Sequence, residues 1–307
     1  MAVAELRVIC GPTAAGKSAI AMQLAERYGA AIISADSRQV YRGFDIGTAK
    51  PDSDERARVP HFGIDLVDPS ERFSAARWAD EASKWIAATL GGTKQAVVVG
   101  GTGLYIRALV DPLFAAPELD PTRRSQLQRF LDGYGLSDLR RWATELDPAR
   151  ARLGRTQLLR AIETALLSGR RISDMHAAQS ETRSSRAPIN ARYLVIDPGV
   201  ALSQRIEMRV DAMLRAGWLD ETKELSQSVP PDAPAWKATG YGELRRVARG
   251  ESELLSARER VIIETRQYAK RQRTWFRHQL PPATVTRINP DDPQASVVVR
   301  EWWETSE

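Results

Sequence analysis

Eight consecutive residues near the start of the chain, Gly11-Pro12-Thr13-Ala14-Ala15-Gly16-Lys17-Ser18, have the types and spacing needed to grip a diphosphate or triphosphate. They fit the pattern G-x-x-x-x-G-K-[ST]. The glycines let the backbone wrap so that N–H groups face phosphate oxygens. A helix starting there adds its positive dipole end. Lys17 supplies a compact cation, and the Ser18 hydroxyl can hold Mg²⁺. The bland alternative is a chance match in a Gly/Ala turn. The context weighs against it: the apolar run Leu6 to Cys10 precedes the motif, and Ser18 to Tyr28 follows with helical periodicity.

Three other groups of residues could do chemistry. Asp36 stands in Ser34-Ala35-Asp36-Ser37-Arg38-Gln39-Val40-Tyr41, just after a short apolar strand. The carboxyl ends of parallel strands line the ligand crevice, which puts Asp36 near the phosphate loop. There it is a general base for an acceptor or an aid to Mg²⁺, or else it only caps the following turn. Gly100-Gly101-Thr102-Gly103 ends another apolar strand, lets a ligand approach the backbone closely, and offers the Thr102 hydroxyl at the same sheet edge. Finally, Arg266, Lys270, Arg273 and Arg277 fall on one face of a long helix, with Ile262, Ala269 and Phe276 on another. Such a stripe is either solvated or in contact with phosphates. His61, His176 and His278 have no metal-ligand spacing.

The elements that must position these groups alternate. Strands are expected over Leu6 to Cys10, Ala31 to Ser34, Ile64 to Val67, Gln95 to Val99 and Tyr193 to Asp197, with one more in the tail after Pro281. Helices are expected over Ser18 to Tyr28, Ser74 to Leu90, Ser203 to Ala216, Asp220 to Ser226 and Ala257 to His278. That order predicts an α/β fold built on a doubly wound parallel sheet. Between residues 115 and 186 strand signals vanish and helical stretches such as Thr122 to Asp132 and Thr156 to Ser168 take over. This segment reads as a helical insertion, with residues 1–114 and 187–307 forming the core. Trp302 and Trp303 read as residues docked on the body.

Composition narrows the class. The 307 residues are 43% hydrophobic and 27% charged, an ordinary soluble balance. One cysteine, Cys10, excludes an internal disulfide and a cysteine-based zinc cluster and suits a reducing cytosol. No apolar run is long enough for a membrane span, and Met1 to Cys10 is too short and charged for a secretory signal. A cytoplasmic monomer with no membrane partner is expected. The net charge of +5 is compatible with a polyanionic partner.

Taken together, these words resemble the tRNA dimethylallyltransferase (tRNA isopentenyltransferase) family. The match runs through Gly11 to Ser18, the stretch Asp36-Ser-Arg-Gln-Val-Tyr-Arg-Gly-Phe-Asp-Ile-Gly-Thr-Ala-Lys-Pro51, Val99-Gly-Gly-Thr-Gly-Leu-Tyr105, and Leu159-Arg-Ala-Ile-Glu163. It continues through Arg205 to Asp211, Thr239-Gly-Tyr241 and Thr265 to Phe276, so it spans nearly the whole chain. The basic helix is itself one of the family's words. The chain has no C-terminal zinc finger of the kind some eukaryotic relatives carry, so it resembles the bacterial type.

The resemblance implies a P-loop-kinase-like fold with a helical insertion. It implies transfer of a dimethylallyl group from dimethylallyl diphosphate to N6 of the adenine 3′ of certain tRNA anticodons, with Mg²⁺ present. It implies that Asp36 is the general base, that Thr102 touches the transferring region, and that Lys17, Ser18, Arg209 and Lys270 meet the diphosphate with the rest of Gly11 to Ser18. Asp36, Ser37, Arg38, Gln39, Thr102, Arg124, Thr156, Gln157, Leu158, Leu159 and Arg160 fall where the family contacts the anticodon stem-loop. One departure stands out: Leu153-Gly-Arg-Thr-Gln157 replaces the usual Asn-Asp-Pro-x-Arg, so Gln157 stands where an arginine is expected. The competing functions are a small-molecule P-loop kinase, an adenylate isopentenyltransferase and a non-catalytic RNA-binding protein.

Overall fold

A computed structural model describes residues 5–91, 95–111, 117, 119–182 and 189–305. The chain divides into two compact units, one of residues 1–112 with 189–307 and one of residues 113–188. The expected insertion limits at 115 and 186 themselves lie outside the described residues.

The larger unit begins β1 (Leu6–Cys10), α1 (Lys17–Tyr28), β2 (Ala31–Ser34), α2 (Ser53–Arg58), β3 (His61–Phe62), α3 (Ala75–Gly91), β4 (Ala96–Gly100), α4 (Gly103–Val110). The smaller unit holds α5 (Pro121–Asp132), α6 (Leu136–Leu146), α7 (Arg155–Ser168) and α8 (Ile172–Thr182). The larger unit then resumes with β5 (Ala191–Ile196), α9 (Leu202–Arg215), α10 (Trp218–Ser228), α11 (Tyr241–Ala248), α12 (Leu254–His278), β6 (Val285–Ile288) and α13 (Ala295–Glu304).

Among the described residues six strands form one sheet in the order β3-β2-β4-β1-β5-β6, and their pairings are parallel. Parallel strands buried on both faces read as continuous apolar runs, which is why Ala96 to Gly100 is buried throughout. Ile9, Val97, Val99, Leu194 and Ile196 point to one face and pack with Ala21, Leu24 and Ala25 of α1 and Trp302 and Trp303 of α13. Trp303 stacks on Tyr28 with ring centroids 5.3 Å apart, and the Arg7 guanidinium lies 4.9 Å from its ring centroid. The tail is thus docked on the body. On α3, Trp78 is fully buried, donates from its indole nitrogen to the Ser34 carbonyl at 3.0 Å, and stacks on Tyr105 of α4. Ser74 caps α3 by accepting from the Arg77 N–H at 3.1 Å, as its position before the helix predicts.

One expected strand is displaced. Pairing falls at His61–Phe62, and the stretch from Ile64 to Val67 contributes a single bridge, Val67 to Tyr41. Gly63 at φ +83° and Asp65 at φ +54° break extension there. Asp65 is held in that conformation by the Lys50 ammonium at 2.6 Å and the Arg56 guanidinium at 2.8 Å. Helix α11 went unforeseen; among the described residues no helix is long and apolar enough to cross a membrane.

The smaller unit has its own core: Leu131, Leu139, Ala143, Leu158 and Ile162, flanked by Tyr134, Trp142 and Leu146. Arg155 donates to the Tyr134 carbonyl at 2.6 Å and also reaches the Leu131 and Asp132 carbonyls, closing the end of α5.

Candidate active site

The phosphate loop is shaped by its own backbone. Gly11 at φ +145° lies so close to β5 that a Cβ there would sit 2.2 Å from the Ile196 carbonyl oxygen. Ala14 at φ +61° and Gly16 at φ +95° are left-handed, the conformation that turns successive N–H groups inward. A non-glycine residue at positive φ is strained and persists only where its surroundings hold it. Lys17 Nζ donates to the Pro12 carbonyl at 2.6 Å, and Ser18 is exposed in the first turn of α1. The Thr13 N–H donates to Gln272 Oε1 at 2.8 Å.

Asp36 caps the following turn and also lines a cleft. Its Oδ1 accepts from the Arg38 N–H at 2.8 Å, which caps the turn. Its Oδ2 has no hydrogen-bond partner among the described residues, and Asp36 lines a cleft with Arg38, Arg209, Thr239, Thr265 and Tyr268. Burial and the neighbouring Arg209 push the Lys17 amine down to about 8, with Asp36 acting in the opposite sense. Arg209 is also depressed by burial and supported by Asp36. Lys17, Arg209 and Asp36 therefore share one electrostatic field, although they come from α1, α9 and the end of β2. Arg209 also lines a second cleft with Ser18, Gln39, Lys50, Glu55 and His61, so the two clefts share its side chain.

Thr102 is tied to the Asp36 loop. Its Oγ1 accepts from the Ser37 N–H at 3.1 Å, and its own N–H donates to the Ala35 carbonyl at 3.1 Å. It is also hydrogen-bonded to the Tyr268 hydroxyl, which burial and the Asp36 charge raise to about 12. Tyr268, Gln272 and Trp275 follow at i, i+4 and i+7 on α12 and press on the glycine-rich turn. A Cβ on Gly101 would lie 2.2 Å from Gln272 Nε2, and one on Gly103 would lie 2.3 Å from Trp275. The sequence reading missed Tyr268 and Gln272 as site residues. Their helical spacing, next to a basic stripe, was the available signal.

The loop from Asp36 to Pro51 is pinned from several directions. Gln39 Oε1 accepts from the Ser34 hydroxyl at 2.7 Å, and Nε2 donates to the Thr48 and Ala49 carbonyls at 3.1 and 2.9 Å. The Gln39 side chain thus holds the loop, rather than turning outward as a tRNA contact would. Lys50, 1% exposed, donates to the Tyr41 carbonyl, Asp45 and Asp65. Burial would raise the Asp65 carboxyl, but Lys50 and Arg56 hold it below its ordinary value. Glu221 of α10 accepts from the N–H groups of Asp45 at 3.0 Å and Ile46 at 2.7 Å, and from the Tyr241 hydroxyl at 2.5 Å.

Not every expected residue joins the cluster. Lys270 is exposed and lines neither cleft. On its stripe, Arg266 is paired with Glu207, and Arg273 with Asp197 and the Gly199 carbonyl. In the smaller unit, Thr156, Gln157 and Arg160 are exposed on α7 and Leu159 is half-buried. Leu158 is fully buried in that unit's core, so its side chain packs the helices instead of facing RNA. Arg124 donates to the buried Glu163 carboxylate at 2.9 Å, which Gln128 also reaches at 2.8 Å.

Comparison with known proteins identifies the family. The model of the IPP transferase family matches residues 39–279, and that of the isopentenyl transferase family matches residues 4–60. A tRNA dimethylallyltransferase of Geobacter metallireducens is 44% identical over 279 residues, 89% of each chain. One from Deinococcus radiodurans is 39% identical, covering 91% of this chain and 92% of its own. The fold is similar to that of a crystal structure of a full-length tRNA isopentenylpyrophosphate transferase of Bacillus halodurans (TM-score 0.68, 34% identity, 97% of this chain, 93% of that one). It is also similar to a eukaryotic dimethylallyltransferase captured acting on tRNA (TM-score 0.75, 26% identity, 96% of this chain, 77% of that one).

Proposed function

The chain belongs to the IPP transferase family and is a tRNA prenyltransferase, and we propose that it moves a dimethylallyl group from dimethylallyl diphosphate to N6 of the adenine 3′ of the anticodon. The observation that carries this reading is the meeting of Asp36, Lys17 and Arg209 in one field, with Asp36 and Arg209 on one cleft wall.

The chemistry needs this layout. The adenine amine is a weak nucleophile because its lone pair is delocalised into the ring. As its nitrogen bonds to the allylic carbon, the carbon–oxygen bond breaks and its electron pair leaves with the diphosphate. The amine proton passes to the open Oδ2 of Asp36, a contribution worth about 10²–10⁴-fold. Inward N–H groups of the phosphate loop, Lys17 and Arg209 meet the charge on the departing diphosphate. Here the loop binds a leaving group, and no phosphoryl group moves.

The residues present fit Mg²⁺. Ser18 exposes its hydroxyl in the cleft that Arg209 lines, and no cluster of three or more His, Cys, Asp or Glu side chains among the described residues offers a protein cage. One hydroxyl combined with substrate phosphate oxygens is the usual manner of holding this ion, which supplies further charge neutralisation. Adenine reaches the cleft by leaving its stack, at a cost of a few kcal/mol. Exposed cations such as Lys270 and Arg277 are available to the RNA backbone, making binding salt-sensitive.

Incubation with Mg²⁺, dimethylallyl diphosphate and an anticodon stem-loop should add one C₅H₈ unit to the RNA, read by mass spectrometry. Unmodified RNA alongside phosphate release from ATP would replace this reading with a kinase.

A further inference from the structure

Gln272 is almost completely buried, 6% exposed, and its amide is divided between two loops. Oε1 accepts from the Thr13 N–H at 2.8 Å, in the phosphate loop. Nε2 donates to the Gly101 carbonyl at 2.8 Å, in the turn that carries Thr102. Only a side chain with an acceptor and a donor at that spacing satisfies both. The fit is close, because a Cβ on Gly101 would fall 2.2 Å from Nε2.

We propose that Gln272 is a positioning residue that sets the separation between the leaving-group loop and the acceptor turn. This rests on the prenyl-transfer reading above. The phosphate loop fixes the allylic carbon through its diphosphate. The turn at Gly101 fixes Thr102, and through the Ser37 N–H it fixes the loop bearing Asp36. These two halves belong to different strands, β1 and β4, and Gln272 bridges them directly beyond the sheet edge. Reaction between two bound partners is sensitive to misplacement on the ångström scale. A second consequence follows for the cradle. The Thr13 N–H is committed to Gln272, so it is not one of the donors that face the diphosphate.

Two substitutions in the full-length chain test the arms. Gln272→Glu keeps an oxygen for the Thr13 N–H but sets a carboxylate oxygen against the Gly101 carbonyl. Gln272→Met keeps the bulk and removes both bonds. For Gln272→Glu, kcat should fall about 10–100-fold with the KM for the stem-loop nearly unchanged, and pyrophosphate affinity should fall too because the new carboxylate faces the cradle. For Gln272→Met, kcat and pyrophosphate affinity should both fall. A kcat within 2-fold of the parent in both variants would overturn the proposal, as would a KM for the stem-loop that rises in step with the loss of kcat.

A measurement on the unmodified protein needs neither variant to fold. The Thr13 amide should exchange slowly with and without pyrophosphate. Fast exchange that slows only when pyrophosphate is added would place that N–H in the cradle and refute the assignment. Neither pyrophosphate binding nor amide exchange requires prenyl transfer. A failure of the function reading, seen as unmodified RNA with the parent enzyme, is therefore distinct from a failure of Gln272.

Discussion

Two loops lie at the carboxyl edge of the sheet and, on the proposed reading, carry opposite halves of the transfer, yet they are built differently. The phosphate loop, Gly11 to Ser18, takes most of its shape from its own residues, left-handed Ala14 and Gly16 and a helix that starts at Lys17, with Gln272 as its one remote tether named above. The loop from Asp36 to Pro51 is longer, and side chains of its own and of remote helices hold it together. Glu221 gathers its N–H groups, Lys50 ties Tyr41, Asp45 and Asp65 together, and Trp218 packs against Gly47. Binding a diphosphate needs backbone N–H groups turned one way, which a short glycine-bearing word achieves locally. Aiming one carboxylate at an amine needs a fixed point in space, which takes contacts from several elements.

The strongest way to break this comparison is to remove the carboxylate while keeping its turn. Asp36→Asn retains an oxygen for the Arg38 N–H, so the loop should persist. Single-turnover transfer should nevertheless fall about 10²–10⁴-fold, with stem-loop and pyrophosphate binding within about 3-fold. Near-normal transfer by Asp36→Asn would reduce Asp36 to a turn cap.

Lys17 sharpens the other half of the comparison. Its amine is pushed down to about 8, so it carries charge below that pH and loses it above. Pyrophosphate affinity should hold up to that point and then drop by up to about tenfold per pH unit, whereas stem-loop binding should not follow. Isothermal titration across this range checks it. A flat profile would show that Lys17 stays charged in the free enzyme.

The smallest effect on chemistry is expected at Gly47. A Cβ there would lie 2.0 Å from Trp218 Nε1 and 2.6 Å from the Tyr241 ring. Gly47→Ala should cost about 1–3 kcal/mol of stability by overpacking, seen as a lowered Tm. Pyrophosphate affinity should be preserved, because the phosphate loop does not depend on that packing. An equal loss of pyrophosphate affinity would show that the two loops are one unit after all.

Much of this was legible in the residues. The phosphate loop, the parallel sheet and the helical character of the second unit follow from short words and periodicity, because backbone turns and strand burial are local properties. Asp36 and Thr102 could be named because strand ends converge at one sheet edge. The strand expected at Ile64 to Val67 moved because Asp65 answers to Lys50, fifteen residues away in sequence. Leu158 and Gln39 proved to be packing and tethering residues, and neither burial nor hydrogen-bond partner is encoded in a motif position.

The sequence by itself therefore determined which chemical groups exist and which backbone cradle has the form that suits a diphosphate. The family resemblance already put Arg209 with them, and only the tertiary structure added Tyr268 and Gln272. Those three come from helices α9 and α12, far along the chain, and their side chains reach the site only because the sheet order folds the helices back onto the ends of β1, β2 and β4. A cradle is a property of consecutive peptide groups, whereas the distance between a base and a leaving group is set by packing between elements remote in sequence.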